Sequence, residues 1–517
     1  MSKQLIIQLG RLDRNYRSLI PFKYQNHEGK GELSSLFLKR DADEFKDCDL
    51  VLVFPESIVL QDWKKANVDL KNNDKGDFFL EAIEKINPEE YLKNPEDIIK
   101  QHPHLKDTSF WVVSSIGHFS FIGEHGQRDF EFKNTLDRIT LQIYLFLASR
   151  HSNDKIESIL LDISSGQNIY IAAMLNAAYR FLPYIKFKRF LKLDNGFIKG
   201  FILNADPILG GDSSTKNIQK STFSARAFNS LTFKDSSEMN LLIKTIFKEK
   251  TYYKALQNFI TEDYFLLHGG LIFTSPLAIS LANEVYLEKL FSEVGLDQII
   301  KDLESFFNQK NRSYADDHIN QNLVYSLTFA LGIGNSLFSS GFIDVLKDKE
   351  IIFEIEDQTS KNIKLKNELL DSTCKVLEKE YKQPPRDYKG EIQKLYKKLR
   401  DANIEVPKEF LSYANLERKL KPLNEQNLSN KETEEFLEGI ENLSSSFPTF
   451  SGIVDEWKSY LMDNNINNDF VSRNYFAHGG FEKNLTEIKM EEDKIWVRYN
   501  SEMVGDAKKQ ILKYIKK

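Results

Sequence analysis

Cysteine is almost absent from this chain. Cys48 and Cys374 are the only two among 517 residues, so neither a disulfide framework nor a cysteine-rich zinc site can form. No stretch approaches the ~20 consecutive apolar residues that a membrane-spanning helix needs. The short apolar run after Met1 fits a strand better than a signal peptide. These absences predict a cytoplasmic protein.

The chain also lacks a strong excess of charge of either sign. It has 70 lysines and arginines against 76 aspartates and glutamates, a formal net charge of −6. This balance argues against a protein that coats nucleic acid by bulk electrostatics, although a local anion site remains possible. No Walker loop or dinucleotide-binding fingerprint is found. At 517 residues the chain exceeds what one hydrophobic core usually supports, which predicts two or three domains.

Short apolar runs in the N-terminal part predict buried strands. Each run stops at glycine, proline or serine, and helical stretches separate the runs. This alternation is typical of a doubly wound α/β sheet with parallel strands. The predicted strands are 5–9, 49–54, 110–113 and 158–163, followed by two more near 186–193 and 196–204.

From about Ser236 onward, apolar residues recur at helical spacing. We therefore predict a mostly α-helical C-terminal half. The helices are expected at 239–259, 280–308, 361–402 with an interruption at Pro384-Pro385, 434–470 with a break near 444–448, and 507–516, and a hairpin-like stretch at 494–499. The predicted domains are an α/β domain at 1–225, a helical middle region at 226–350 and a C-terminal domain at 351–517.

Small and polar residues follow three of the predicted strands. They are Gly10, the segment 114–117 and the segment 162–168. In a doubly wound sheet, ligands bind outside the carboxyl ends of the strands, and the helix after Asn168 would direct its positive N-terminus at a phosphate. Six basic residues between Arg180 and Gly200 favour a polyanionic ligand. The alternative is that these turns are ordinary connections between strands and helices.

The strongest chemical motif lies near the C-terminus. Arg473-Asn474-Tyr475-Phe476-Ala477-His478 precedes two glycines. On a helix, a spacing of five places the arginine and the histidine about 140° apart, on either side of one groove. Ribonucleases that work without metal need a group with a near-neutral pKa and a fixed positive charge. The alternative is a structural role for both residues.

Arg312 and His318 have a comparable spacing, but Asp316 and Asp317 beside that histidine would repel a phosphodiester. No acidic residue lies between 471 and 481, which favours the later motif. We interpret the other candidates as structural: His268 as a helix C-cap residue, and Gly332-Ile333-Gly334 as part of a turn.

These segments resemble the CRISPR-associated CARF–HEPN ribonucleases of type III systems. Residues 473–480 resemble the nuclease motif of that family: arginine, a polar residue, three further residues and histidine, often followed by glycines. Residues 162–168 resemble its sensor motif of aspartate, a small polar turn, glycine and asparagine. Many relatives carry histidine where this chain has Ser165, so activator cleavage is left open.

The resemblance implies a Rossmann-like CARF domain at the N-terminus and a HEPN domain at the C-terminus. It implies a cyclic oligoadenylate activator, expected to be the tetra-adenylate ring, that bridges two CARF domains. No cofactor or metal is implied. The implied ligand-binding residues are Gly10, Ser115, Gly117, Ser164, Ser165, Gly166, Gln167 and Asn168.

The resemblance also implies a composite, metal-independent nuclease site in a homodimer or an oligomer of dimers. His478 would act as acid or base, Arg473 would stabilise phosphate charge, and Asn474 would position one or both. The expected substrate is single-stranded RNA, cut to a 2′,3′-cyclic phosphate and a 5′-hydroxyl. No membrane partner is expected, and the role would be antiviral defence.

Two other functions remain open from the sequence. One is a nucleotide-sensing regulator whose helical half binds a partner or DNA without catalysis. The other is a standalone HEPN nuclease that is constitutively active.

Overall fold

A computed structural model describes the residues 3–10, 19–60, 87–101, 105, 108–123, 126–150, 156–164, 167–189, 198–206, 214–223, 236–272, 276–308, 319–339, 350–355, 363–365, 411–412, 486–491, 494–500, 504–505, 508–509 and 512. The segments that carry Arg312 with His318 and Arg473 with His478 lie outside the described residues. The chain divides into two compact units. Unit 1 comprises 1–232 and 295–332, and unit 2 comprises 233–294 and 333–517.

Unit 1 is built on an eight-stranded sheet of order β3-β2-β10-β9-β8-β1-β4-β5. Neighbours within β9-β8-β1-β4-β5 are parallel, whereas β10 runs antiparallel to β9. A separate hairpin of β6 and β7 follows β5. The strands are β1 (Lys3–Leu9), β2 (Ile20–Tyr24), β3 (His27–Gly31), β4 (Asp49–Pro55), β5 (Ser109–Val113), β6 (Ile116–Gly123), β7 (Gly126–Lys133), β8 (Ile156–Asp162), β9 (Lys199–Ala205) and β10 (Lys216–Phe223).

The parallel strands are the apolar runs that the sequence predicts, and the doubly wound α/β prediction is confirmed. Leu5, Ile6 and Ile7 of β1 are fully buried, as expected for a strand covered on both faces. The helices of this unit are α1 (Ser34–Asp41), α2 (Pro88–Lys93), α3 (Pro95–Ile99), α4 (Leu136–Arg150), α5 (Asn168–Lys188) and α11 (Leu296–Asn308), together with the first part of α12 (Gln321–Ser339).

The predicted strand near 186–193 is wrong over its first part. Residues 186–188 form the end of α5, and 190–193 lie outside the described residues. The apolar residues Phe181, Tyr184, Ile185 and Phe187 are buried at helical spacing. The alternation of lysine and phenylalanine at the helix end resembles a strand only when it is read apart from these neighbours.

The predicted turn at Gly332-Ile333-Gly334 is also wrong, because all three residues lie inside α12. Glycine at 334 allows close packing within unit 2, since a Cβ atom there would lie 2.7 Å from the ring of Phe291 and 2.8 Å from that of Phe259. The glycines therefore serve the approach of side chains to the helix rather than a change of chain direction.

Unit 2 combines helices with an antiparallel five-stranded sheet of order β12-β11-β15-β14-β13. The predicted hairpin-like stretch at 494–499 is confirmed as β15. Its partners are β11 (Glu350–Ile355), β12 (Ile363–Leu365), β13 (Leu411–Ser412) and β14 (Thr486–Glu491), and the helices are α6 (Ser236–Phe247), α7 (Tyr253–Asn258), α8 (Tyr264–Ile272), α9 (Pro276–Ile279) and α10 (Glu284–Glu288) with the remainder of α12.

Two local predictions in unit 2 are wrong. The helix predicted at 361–402 is wrong at Ile363–Leu365, which form a strand because pairing with β11 overrides helical propensity. The rest of that stretch and the predicted helix at 434–470 lie outside the described residues. His268 does not cap a helix. It lies in the middle of α8, is 7% exposed, and stacks on Tyr264 with ring centroids 5.2 Å apart.

Among the described residues, none of the helices is both long enough and apolar enough to span a membrane.

Asp263 is a buried acid at the junction of two helical segments in unit 2. It ends a π-helical turn at Phe259–Asp263, and its Oδ1 accepts the backbone N–H of Asn283 at 2.9 Å. The Asn283 side chain in turn accepts the N–H of Val285 and so caps α10. Burial raises the pKa of Asp263 from 3.8 to about 7.

This raised pKa predicts that the stability of unit 2 depends on pH. The protonated carboxyl stabilises the fold fully below the unfolded pKa of 3.8, and this contribution is lost as the pH rises through about 7. Asp263→Asn keeps an oxygen acceptor for Asn283 and cannot ionise. We expect a melting temperature well above that of the wild type at pH 8 and a smaller difference at pH 5.

The exposed carboxylate of Asp47 provides the control. Asp47→Asn should leave the melting temperature of the chain nearly unchanged at both pH values. An Asp263→Asn variant that is equally stable or less stable than the wild type at pH 8 would contradict the raised pKa.

Candidate ligand site at the ends of the parallel strands

The strand order reverses between β1 and β8. On one side of β1 lie β4 and β5, which the chain reaches after the β2–β3 hairpin at the far edge, and on the other side lie β8 and β9. Such a reversal is where ligands bind in open α/β sheets, outside the carboxyl ends of the strands. In the register of the two strands, Gln8 of β1 is opposite Asp162 of β8.

A buried hydrogen-bonded network joins these two strands. The hydroxyl of Ser34 donates to Oδ2 of Asp162 at 2.7 Å and accepts from Nε2 of Gln8 at 3.0 Å. All three side chains are at most 1% exposed. Because Ser34 begins α1, the network fixes the first turn of that helix at the end of the two strands.

The side-chain oxygen of Gln8 completes the network. It accepts the backbone N–H of Ser35 at 3.2 Å and also the hydroxyl of Ser35. The first N–H groups of a helix have no partner within the helix. Gln8 therefore supplies from β1 a cap that Leu33, the residue before α1, does not provide through its side chain.

Asp162 also organises the turn that follows β8. Its Oδ1 accepts the backbone N–H of Ser164 at 3.0 Å, and the Ser164 hydroxyl accepts the N–H of Ala205 at 2.8 Å. Burial raises the pKa of Asp162, and the hydrogen bonds from Ser164 and Ser34 oppose that rise. The turn is thus tied to the ends of both β8 and β9.

The helix after this turn presents its N-terminus at the same edge of the sheet. Gln167 and Asn168 are exposed, and the Gln167 side chain does not cap α5. An uncapped helix N-terminus with exposed amides suits an anionic group. Ser165 and Gly166 lie outside the described residues.

A second polar cluster lies at the ends of β4 and β5. Ser115 is fully buried, and its hydroxyl accepts the N–H of Ser57 at 2.8 Å and donates to the Ser57 hydroxyl at 2.8 Å. Its N–H donates to Oε1 of Glu56 at 3.0 Å, and its carbonyl accepts from Asn134 at 2.9 Å. Ser115 therefore shapes the end of β5 through contacts within the protein.

Two of the predicted ligand-binding residues are glycines, and each position requires glycine for a different structural reason. The N–H of Gly10 donates to the carbonyl of Val53 at 2.8 Å, and a Cβ atom at Gly10 would lie 2.2 Å from the ring of Phe54. Gly117 has a φ of +112°, a conformation that favours glycine. The absence of a side chain at Gly10 thus lets the end of β1 pack directly against the ring of Phe54 in β4.

The structure brings together part of the predicted ligand-binding set. Gly10, Ser164, Gln167 and Asn168 lie at the ends of β1 and β8, while Ser115 and Gly117 lie beyond β4 at the end of β5. Neighbouring strands are about 4.8 Å apart, so the set spans roughly 15 Å of the sheet edge. The predicted nuclease residues Arg473, Asn474 and His478 lie outside the described residues.

Four of the basic residues between Arg180 and Gly200 lie away from this edge of the sheet, while Lys192 lies outside the described residues. Arg189 donates to the carbonyl of Ile156 at 2.7 Å, and Lys199 begins β9, so both lie at the amino ends of the strands. Arg180 lies over the ring of Tyr325, and Lys188 pairs with Asp297 at 2.9 Å. Arg180 and Lys188 thus join helices of unit 1. The interpretation as a polyanion site is wrong for Arg180, Lys188, Arg189 and Lys199.

Comparison with known families gives two matches, one within unit 1 and one within unit 2. A model described as the CARF domain of the CRISPR system endoribonuclease Csx1 matches residues 5–207. A model described as the HEPN domain of the same endoribonuclease matches residues 355–501. Among curated proteins there is no significant match.

The two domains define a class: a nucleotide-sensing CARF domain joined to a HEPN domain, which indicates ribonuclease activity. The chain belongs to the CRISPR-associated CARF–HEPN proteins, a family of ribonucleases in antiviral defence.

The contact between Gly10 and Phe54 predicts the effect of adding a methyl group. Gly10→Ala should destabilise the chain by about 1–3 kcal/mol, because the new Cβ overlaps the Phe54 ring and a packed core does not yield freely. Chemical denaturation measures this loss. Combination with Phe54→Leu should restore part of it.

Gly505→Ala is the matched control, since a Cβ atom there meets nothing within 4 Å. If Gly10→Ala were as stable as this control, Gly10 would not be needed for packing and its role would be confined to ligand approach.

Proposed function

We propose that this protein is a single-stranded-RNA endoribonuclease whose activity is switched on by cyclic oligoadenylate. The observation that carries the proposal is the sensor edge of unit 1, where the ends of β1 and β8, the turn at Ser164 and the start of α5 converge. The HEPN match over residues 355–501 supplies the nuclease half, and it covers Arg473 and His478.

The proposed activator is the cyclic tetra-adenylate ring. Its phosphates would meet the start of α5, and the glycines and small side chains at the strand ends would allow close approach. Among the proposed contacts that the structure describes, the side chains of Gln167 and Asn168 are exposed, whereas Ser115 is fully buried. No cofactor is included in the proposal.

A ring with repeated subunits suits a two-fold site, and α5 offers a surface for the second copy. Ile169 and Tyr179 on α5 are 36% and 42% exposed, and Ala172 and Asn176 share their face of the helix. This stripe begins at the sensor edge. Pairing of two α5 helices about a two-fold axis would therefore place two sensor edges side by side.

This dimer predicts the effect of a charge in the stripe. Tyr179→Glu would bury two carboxylates at a symmetric interface, and unpaired buried charges are strongly unfavourable. We expect the mass measured by analytical ultracentrifugation at micromolar concentration to fall from dimer to monomer.

Leu241→Glu is the control, because Leu241 in unit 2 is 66% exposed and lies away from α5 in sequence. A Tyr179→Glu variant that stays dimeric would place the interface elsewhere.

The proposed chemistry is transfer of a phosphodiester to the neighbouring 2′-oxygen. The 2′-hydroxyl loses its proton and its oxygen attacks phosphorus, while the 5′-oxygen leaves and gains a proton. The products are a 2′,3′-cyclic phosphate and a 5′-hydroxyl. His478 would transfer a proton, Arg473 would stabilise charge on the phosphate, and Asn474 would position either group. Motifs from two protomers would line one metal-independent site.

This assignment predicts that His478→Ala removes RNA cleavage measured in EDTA. Loss of an acid or base lowers the rate by about 10²–10⁴-fold, and the wild-type rate should survive chelation. His318→Ala is the matched control and should cleave at the wild-type rate.

Cleavage that persists in His478→Ala would assign the chemistry to other residues. Cleavage that disappears in EDTA but returns with added Mg²⁺ would show that a metal takes part. A wild type that binds the ring but never cleaves RNA would favour a non-catalytic regulator.

A further inference from the structure

Glu56 lies next to the sensor edge and is not among the predicted ligand-binding residues. It follows β4 at the carboxyl end of the strand. Its Oε1 accepts the backbone N–H of Ser115 at 3.0 Å, and its own carbonyl accepts the hydroxyl of Tyr91 at 2.6 Å. Glu56 thus connects the end of β4 with the junction of β5 and β6.

The position of Ser115 depends on a small number of bonds. Its hydroxyl is engaged with Ser57 and its carbonyl with Asn134, so the carboxylate of Glu56 holds the remaining backbone group. A buried N–H that loses its acceptor is unfavourable, and the backbone shifts to find another. Two residues later, Gly117 has its left-handed φ of +112°, so a shift at Ser115 changes the course of the chain along the sensor edge.

The charge of Glu56 is unexpected at a site for a polyanion. Burial is the main cause of the raised pKa of Tyr170 in the first turn of α5, and the charge of Glu56 contributes to it. The carboxylate is therefore electrostatically close to the helix that would receive the phosphates. A like charge there opposes an anionic ligand. Its presence is explained if a geometric role outweighs that repulsion.

We propose that Glu56 is a positioning residue of the sensor site, which holds the junction of β5 and β6 in the conformation that the activator binds. The proposal rests on the proposed function, in which cyclic oligoadenylate binds at these strand ends. It separates two properties of one side chain: the acceptor oxygen favours binding, and the negative charge opposes it.

Two substitutions separate these properties. Glu56→Gln retains an acceptor for the Ser115 N–H and removes the charge, so the full chain should bind cyclic tetra-adenylate as tightly as the wild type or up to about threefold more tightly. Glu56→Ala removes the acceptor and should bind at least about tenfold more weakly. Calorimetric titration of the ring measures each affinity.

The control is Glu304→Ala. Glu304 pairs with Arg150 at 3.0 Å, where α4 ends and the chain returns toward the amino end of β8. Loss of this pair should leave the affinity for the ring unchanged. A third variant, Glu56→Asp, keeps the charge but shortens the side chain by one carbon, so the acceptor no longer reaches the Ser115 N–H and binding of the ring should weaken. This variant provides the test if Glu56→Ala does not fold.

The outcomes distinguish this inference from the proposed function. If the wild-type chain does not bind the ring, the proposed function fails. If Glu56→Ala and Glu56→Asp both bind the ring as tightly as the wild type does, the positioning role is overturned, whatever the melting temperatures of the two variants. If Glu56→Gln binds as weakly as Glu56→Ala, the charge and not the acceptor is what matters, and the inference is also overturned.

Discussion

The buried carboxyl of Asp162 is the constraint on which the sensor half of this protein depends. One oxygen fixes the turn after β8 through Ser164, and the other holds Ser34 at the start of α1, where Gln8 of β1 also binds. A buried acid without partners would be costly. With these partners it ties two neighbouring parallel strands, a helix and a turn into one unit at the point where the strand order reverses.

This arrangement explains how a parallel sheet can sense a ligand at one edge. The strands are apolar and buried, and their contribution is to bring distant parts of the chain to a common edge. The polar groups at that edge mostly bind one another. We therefore propose that the groups at the start of α5 meet the ligand and that Ser115, Glu56 and Asp162 set the shape around them.

The sequence predicts the parallel strands well, because buried strands are short apolar runs bounded by turn residues. It also places Gly10, Ser164 and Asn168 at the sensor edge. It does not reveal Gln8, Ser34 or Glu56, whose roles depend on contacts between strands that are far apart in the chain, although a glutamine inside the apolar run 5–9 is a signal of buried polar pairing. The basic residues Arg189 and Lys199 mislead for the opposite reason, since local composition does not tell which end of the sheet a residue occupies.

The central claim is that the CARF domain controls the nuclease. Its most direct test is the initial rate of single-stranded-RNA cleavage by the full chain in EDTA, measured with increasing cyclic tetra-adenylate and with linear tetra-adenylate as the reference. Control by the CARF domain predicts a low basal rate that rises saturably with the ring and little with the linear form. A high rate that is the same with and without the ring would contradict it and indicate a constitutive HEPN nuclease.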